Sequence, residues 1–241
     1  MSEAKRNKAS LRRPFEVIAF RQGLYWVGGF LVLLWLIKVT EVGMEISWAH
    51  WGILPRTLTG LMGIIFAPLL HGDFAHLISN SMPLIILGLG LFYFYPRIAP
   101  EVSLWIYLST SFWVWVAARG ESYHIGASGV VYGLAAFLIM GGILRRNLRM
   151  MTTSMAVLFL YGGMFYGVLP GEPSISWESH LLGVASGGWL AHYFRKEPIW
   201  TMPEPEVVPE EEEEEVMEQP PSAPTSPKPF AYTFAPPKEE E

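Results

Sequence analysis

Gly126-Ala127-Ser128-Gly129-Val130-Val131-Tyr132 opens a run of apolar residues that continues through Leu144, and about fifty residues later His180 opens a second such run. Each run has the composition of a membrane-spanning helix. A bilayer penalises polar side chains heavily, and those that persist in it usually have a task. A hydroxyl at the mouth of one run and an imidazole at the mouth of the other therefore decide how the chain is read. The small residues around Ser128 let backbone and substrate come close, and glycine permits unusual dihedrals.

The surrounding composition agrees. Hydrophobic residues make up 51% of the 241-residue chain, and its mean hydropathy of +0.29 is lowered by a polar tail. Ten Trp and ten Tyr suit a protein whose aromatics sit at lipid headgroups. The absence of cysteine excludes disulfides, thiolate nucleophiles and Cys-based metal sites. No His-Glu-x-x-His or similar metal spacing occurs, and no cofactor is expected. Residues 1–21 are basic and lack the short apolar segment and small-residue cleavage site of a signal peptide, so they read as a cytoplasmic leader. No nucleic-acid motif accompanies these cations, and membrane orientation explains them better than phosphate binding. The net charge of −5 says little about partners, because much of the acid lies in one run, Glu210 to Glu215.

Six segments are long and apolar enough to cross a bilayer: residues 24–39, 76–95, 103–118, 128–144, 152–169 and 180–194. With the N-terminus inside, only Lys38, Arg56 and Arg119 of the 17 Lys and Arg residues fall outside the loops and termini assigned to the inner side. Residues 170–177, in an outer loop, carry none. Spans two, four and six then run in the same direction. Their N-termini share one leaflet, which brings His76, Asn80, Ser128 and His180 to a similar shallow depth. Residues 40–70 read as a long loop with interfacial amphipathic helices. A seventh span at 58–70 would be short and would break the charge pattern. The chain divides into a basic cytoplasmic segment (1–23), a six-helix domain (24–195) and an acidic, Pro-rich cytoplasmic tail (196–241), disordered from Pro203 onward because it cannot bury enough apolar area.

The polar residues at the shared depth suit acyl chemistry. Ser128 at a helix N-terminus has exposed N–H groups and the positive dipole end beside it; the plainer alternative is an N-cap serine. A serine hydroxyl needs a base, and histidine is the usual one. Gly183 and Gly187 follow His180 at i+3 and i+7, so a small-residue contact between spans four and six could bring His180 to Ser128. Tyr132, at i+4 from Ser128, would stack on the imidazole. The alternative is a packing seam capped by an interfacial histidine. His76 and Asn80, at i and i+4, offer donors to an oxyanion, or else a pair of interhelical hydrogen bonds. His71 reads as a structural loop histidine. His124, four residues before Ser128, is a rival base ranked below His180. Asp73 and Glu178 are conceivable third triad members but read better as solvated loop acids. His50 and His192 lie away from the centre.

At these residues the chain resembles the bacterial-type rhomboid family of intramembrane serine proteases. His71-Gly72-Asp73-Phe74-Ala75-His76 with Asn80, Gly126-Ala127-Ser128-Gly129 with Tyr132, and His180 with Gly183 and Gly187 carry the likeness across roughly residues 24–195. The resemblance implies an all-α, rhomboid-like six-transmembrane-helix bundle with a long interfacial first loop. It also implies a Ser–His dyad in a wetted cavity, with Ser128 as nucleophile, His180 as general base and acid, and Tyr132 orienting His180. His76, Asn80 and the Ser128 backbone N–H would form the oxyanion hole. Substrates would be single-span proteins cut in or near their transmembrane helices in the cytoplasmic membrane. Gly162, Gly163, Gly167, Gly171 and Pro173 could let span five and its loop shift to admit them. The family's Trp-Arg pair is absent from the first long loop, where Pro55-Arg56 stands. A catalytically silent rhomboid-like binder of membrane proteins is the alternative. A small transporter is disfavoured by the lack of an internal repeat. Nothing in the sequence sets the oligomeric state.

Overall fold

The structure is a computed structural model that describes residues 3–120, 122–160, 167–169 and 176–198. The expectations for the tail from Pro203, and for Gly162, Gly163, Gly171 and Pro173, lie outside these residues. Among the described residues the chain is all helix: α1 (Glu3–Gly43), α2 (Gly63–Phe66), α3 (Phe74–Phe94), α4 (Ala99–Ala117), α5 (Ser128–Arg145), α6 (Leu148–Leu160) and α7 (Trp177–Tyr193). Each of the six expected spans holds one of the longer helices. The sole pairing of extended backbone among these residues is an isolated antiparallel bridge between Ile53 and His124.

The helices begin and end where local chemistry dictates. Asp73 caps α3 by accepting the His76 amide at 2.7 Å. Pro100 stands in the first turn of α4, where its missing N–H costs nothing. α5 ends at Arg146 in the left-handed region, φ 53°. Ala19–Gly43 of α1, α3 and α5 are each long and apolar enough to span a membrane; at 1.5 Å per residue, a helix the length of α3 reaches about 30 Å. α3 and α5 build the core from Leu77, Leu84, Leu87 and Leu91 against Val131, Leu134, Phe137 and Leu138. α1 exposes Leu24, Tyr25, Val32, Leu36 and Val39 along its length, an outward apolar surface fit for lipid.

Residues 49–69 form no seventh span. Single turns at Ala49–Trp51, Thr59–Leu61, Gly63–Phe66 and Ala67–Leu69 follow one another without merging. The last turn carries Pro68, which cannot extend an α-helix at that point. Arg56 takes a positive φ of 58° and donates to the Val116 and Ala118 carbonyls at 3.2 and 2.7 Å, so it ties this loop to the end of α4.

The three cations outside the charge pattern are each satisfied within the protein. Arg56 caps α4, Lys38 pairs with Glu41, and Arg119 pairs with Glu178 through two nitrogens. Glu178 is thus no solvated loop acid: it lies in the first turn of α7 and is 6% exposed.

α5 and α7 make the closest helix contact. A Cβ at Gly183 would lie 2.2 Å from the Gly129 carbonyl oxygen, and one at Gly187 would lie 2.0 Å from that of Gly133. Only hydrogen fits at either position, and two helices meet backbone to backbone.

Candidate active site

The N-terminal ends of α3, α5 and α7 meet at one end of the bundle. Ser128 is the first residue of α5, following Gly126 at φ +114° and Ala127 as N-cap. Gly126 meets two demands. Its dihedral disfavours any side chain, and a Cβ there would lie 2.6 Å from His76 Cε1. The His76 ring therefore packs directly on the turn that presents Ser128. The first N–H groups of α5 have no intrahelical acceptor, as at any helix start.

The α5–α7 seam carries His180 to the serine. His180 Nε2 lies 2.7 Å from Ser128 Oγ, and His180 Nδ1 lies 2.8 Å from the Gly167 carbonyl oxygen. A carbonyl only accepts, so Nδ1 carries the proton and Nε2 is left as the acceptor for the serine hydroxyl. Tyr132 lies flat against the imidazole, with ring centroids 4.2 Å apart and an interplanar angle of 16°. His180 is 8% exposed. Its ring is held on both edges and one face.

Asn80 is 5% exposed, and its amide nitrogen Nδ2 is buried with no hydrogen-bond partner among the described residues. A buried donor without an acceptor is costly, and here it lies one turn along α3 from His76. His71, in the turn before α3, is 2% exposed, and its Nε2 accepts the Ala127 amide at 3.4 Å. Burial, together with the nearby His76 ring, pushes the His71 imidazole down to about 3, so it stays neutral and able to accept. Asp73 remains exposed, and the His76 amide holds its carboxyl below the usual range.

The rival base is engaged elsewhere. His124 Nε2 lies 2.9 Å from the Arg119 carbonyl, and its Nδ1 lies 2.5 Å from Ser176 Oγ, which in turn meets Ser179 Oγ at 2.6 Å. His124 thereby fastens the loop after α4 to the start of α7. His50 stands beside Trp51 in the first loop, and His192 lies in the last turn of α7. The sequence reading missed the parts played by Gly167, Lys38 and Arg119. Gly167 acts through its backbone, which carries no residue signature. The two cations were marked by their departure from the positive-inside pattern.

Comparison with known proteins bears on this geometry. The family model described as "Rhomboid domain" matches residues 58–197. An uncharacterized protein of Mycobacterium bovis is 34% identical over 185 residues, covering 67% of this chain and 73% of its own. An uncharacterized protein of Mycobacterium leprae is 36% identical over 182 residues, covering 68% of this chain and 70% of its own. The matched region contains α3 to α7 and, with them, His71, His76, Asn80, Ser128, Tyr132, Gly167 and His180.

Proposed function

The chain belongs to the rhomboid family of membrane proteins, and from that premise we propose that it is an intramembrane serine endopeptidase. On this reading it crosses a bacterial cytoplasmic membrane six times, with both termini inside. The observation that carries the reading is the dyad: His180 Nε2 stands 2.7 Å from Ser128 Oγ while the Gly167 carbonyl engages Nδ1. A silent scaffold has no use for an imidazole whose tautomer is set toward a serine hydroxyl.

The chemistry follows from that geometry. Ser128 Oγ attacks the scissile carbonyl carbon, and His180 Nε2 takes the hydroxyl proton. The C–N bond breaks as His180 returns that proton to the leaving amine. Water then attacks the acyl-serine, giving a proton to His180, and the ester bond opens to restore the hydroxyl. The oxyanion formed in each half is met by the Asn80 amide, the His76 ring and the N–H of Ser128. Asn80 Nδ2 has no hydrogen-bond partner among the described residues, so it gives up none of their hydrogen bonds when it binds the developing charge. Substrates on this reading are single-span proteins whose helix unwinds to expose a carbonyl.

The reading is tested by incubating the purified chain with a tagged single-span substrate and, separately, with a fluorophosphonate probe. Cleavage and labelling at Ser128 are expected. A folded wild-type protein that does neither would leave the silent-binder reading standing. Two variants refine the roles. Asn80→Ala should lower kcat about 10²–10³-fold, the usual loss for one oxyanion donor, while still labelling. His124→Ala should keep kcat within about tenfold, because removing a general base costs about 10²–10⁴-fold. A deeper loss in His124→Ala than in His180→Ala would reverse the assignment of the base.

A further inference from the structure

α1 gives no side chain to the dyad, yet its C-terminal end holds a buried ion pair aimed at the site. Lys38 is 8% exposed and Glu41 3%. The Lys38 ammonium lies 3.4 Å from Glu41 Oε2, 3.0 Å from the His71 carbonyl and 2.9 Å from the Gly72 carbonyl. All three of its protons therefore have acceptors. Glu41 Oε1 accepts the Trp48 amide at 2.7 Å, which anchors the pair to the start of the first loop. Burying two charges is costly, and here the ions offset that cost through what they hold.

What they hold is the turn that feeds α3. Gly72 precedes the Asp73 cap, one turn ahead of His76. From the same turn the His71 ring reaches the other way. Its Nε2 accepts the amide of Ala127, the residue before Ser128, and its edge meets the His76 ring at a centroid distance of 5.1 Å. A continuous set of contacts thus runs from Lys38 through residues 71 and 72 to both sides of the candidate oxyanion site. Those sides are His76 on α3 and the N-terminal turn of α5.

We propose that Lys38, held in place by Glu41, is a positioning residue: it fixes the His71–Gly72 turn and so sets the register of the His76 and Asn80 donors against Ser128. This rests on the hydrolase reading for its catalytic consequence, but the mechanical link can be measured without it.

The test uses the full chain in detergent. Lys38→Met/Glu41→Leu removes both charges together, so neither is left buried alone. Lys38→Gln/Glu41→Gln supplies the same readouts should the first variant not fold. Lys38→Arg keeps donors for both carbonyls. The neutral pairs should lower kcat about 10²-fold, the scale of a roughly 1 Å misplacement, with KM within about twofold. Lys38→Arg should recover most of that loss. Independently, amide exchange at Ala127 and His76 should quicken at least about tenfold in the neutral pairs, while Gly183 to Gly187 in the α5–α7 seam keep their protection. A wild-type protein that neither cleaves nor labels would remove the hydrolase reading and leave the exchange result to decide the link. Unchanged exchange at Ala127 and His76 in a folded neutral pair overturns the proposal. So does a kcat within twofold of wild type, or an equal loss in Lys38→Arg.

Discussion

Ser128→Ala should reduce cleavage of a single-span substrate by at least about 10⁴-fold, the scale seen when a nucleophile that works as a unit with its base is removed. His180→Ala should do the same. The double variant should be no worse than either single one, because each loses the same covalent step. The expectation follows from the 2.7 Å contact between Nε2 and Oγ, which serves proton transfer only while both atoms are present. Folding should survive. Removing the Ser128 hydroxyl deletes one hydrogen bond, worth about 0.5–1.5 kcal/mol, and no neighbouring buried charge is orphaned by it. Rates should be measured with thermal unfolding in the same detergent. Near wild-type cleavage by a folded Ser128→Ala protein sinks the mechanism.

Gly187→Val should damage the fold severely. Its Cβ would lie 2.0 Å from the Gly133 carbonyl oxygen, and the obstacle is backbone that cannot rotate away. Overpacking a well-packed site costs typically about 1–3 kcal/mol and occasionally more; a clash with a helix carbonyl belongs at or beyond the upper end. The consequence reaches the dyad. Spreading α5 from α7 draws His180 away from Ser128, so probe labelling should fall together with the unfolding temperature. The neighbouring glycine is the control. A Cβ at Gly188 meets nothing within 4 Å, so Gly188→Ala should be neutral or stabilising by up to about 1 kcal/mol. Equal unfolding temperatures for the two variants would show that the seam does not limit stability.

These two expectations differ in how they could be known. The spacing of Gly183 and Gly187 after His180 pointed to a close contact from sequence alone, because small residues on one face have a limited set of uses in a membrane helix. The six apolar segments were legible for a similar reason: each holds one of the longer helices, and three of those helices have the length and hydropathy to cross a membrane. Helix ends were less legible. α1 begins at Glu3, far before the apolar stretch that announced it, since helix continues wherever backbone hydrogen bonding and propensity allow. Glu178 was misread as solvated because its partner, Arg119, lies 59 residues away.

The sequence by itself determined the family, the order of the six apolar segments that hold the longer helices, and the three helices that carry His76, Ser128 and His180. It could do so because hydropathy, charge asymmetry and small-residue spacing act locally and leave a periodic trace. Tertiary structure alone decided what surrounds those side chains. The contact of the Gly167 carbonyl with His180, the burial of an Asn80 amide that has no partner among the described residues, and the hold of Lys38 on residues 71 and 72 depend on which atoms meet across the bundle. A carbonyl group is common to every residue, so its partner is chosen by packing and leaves no mark in the order of side chains.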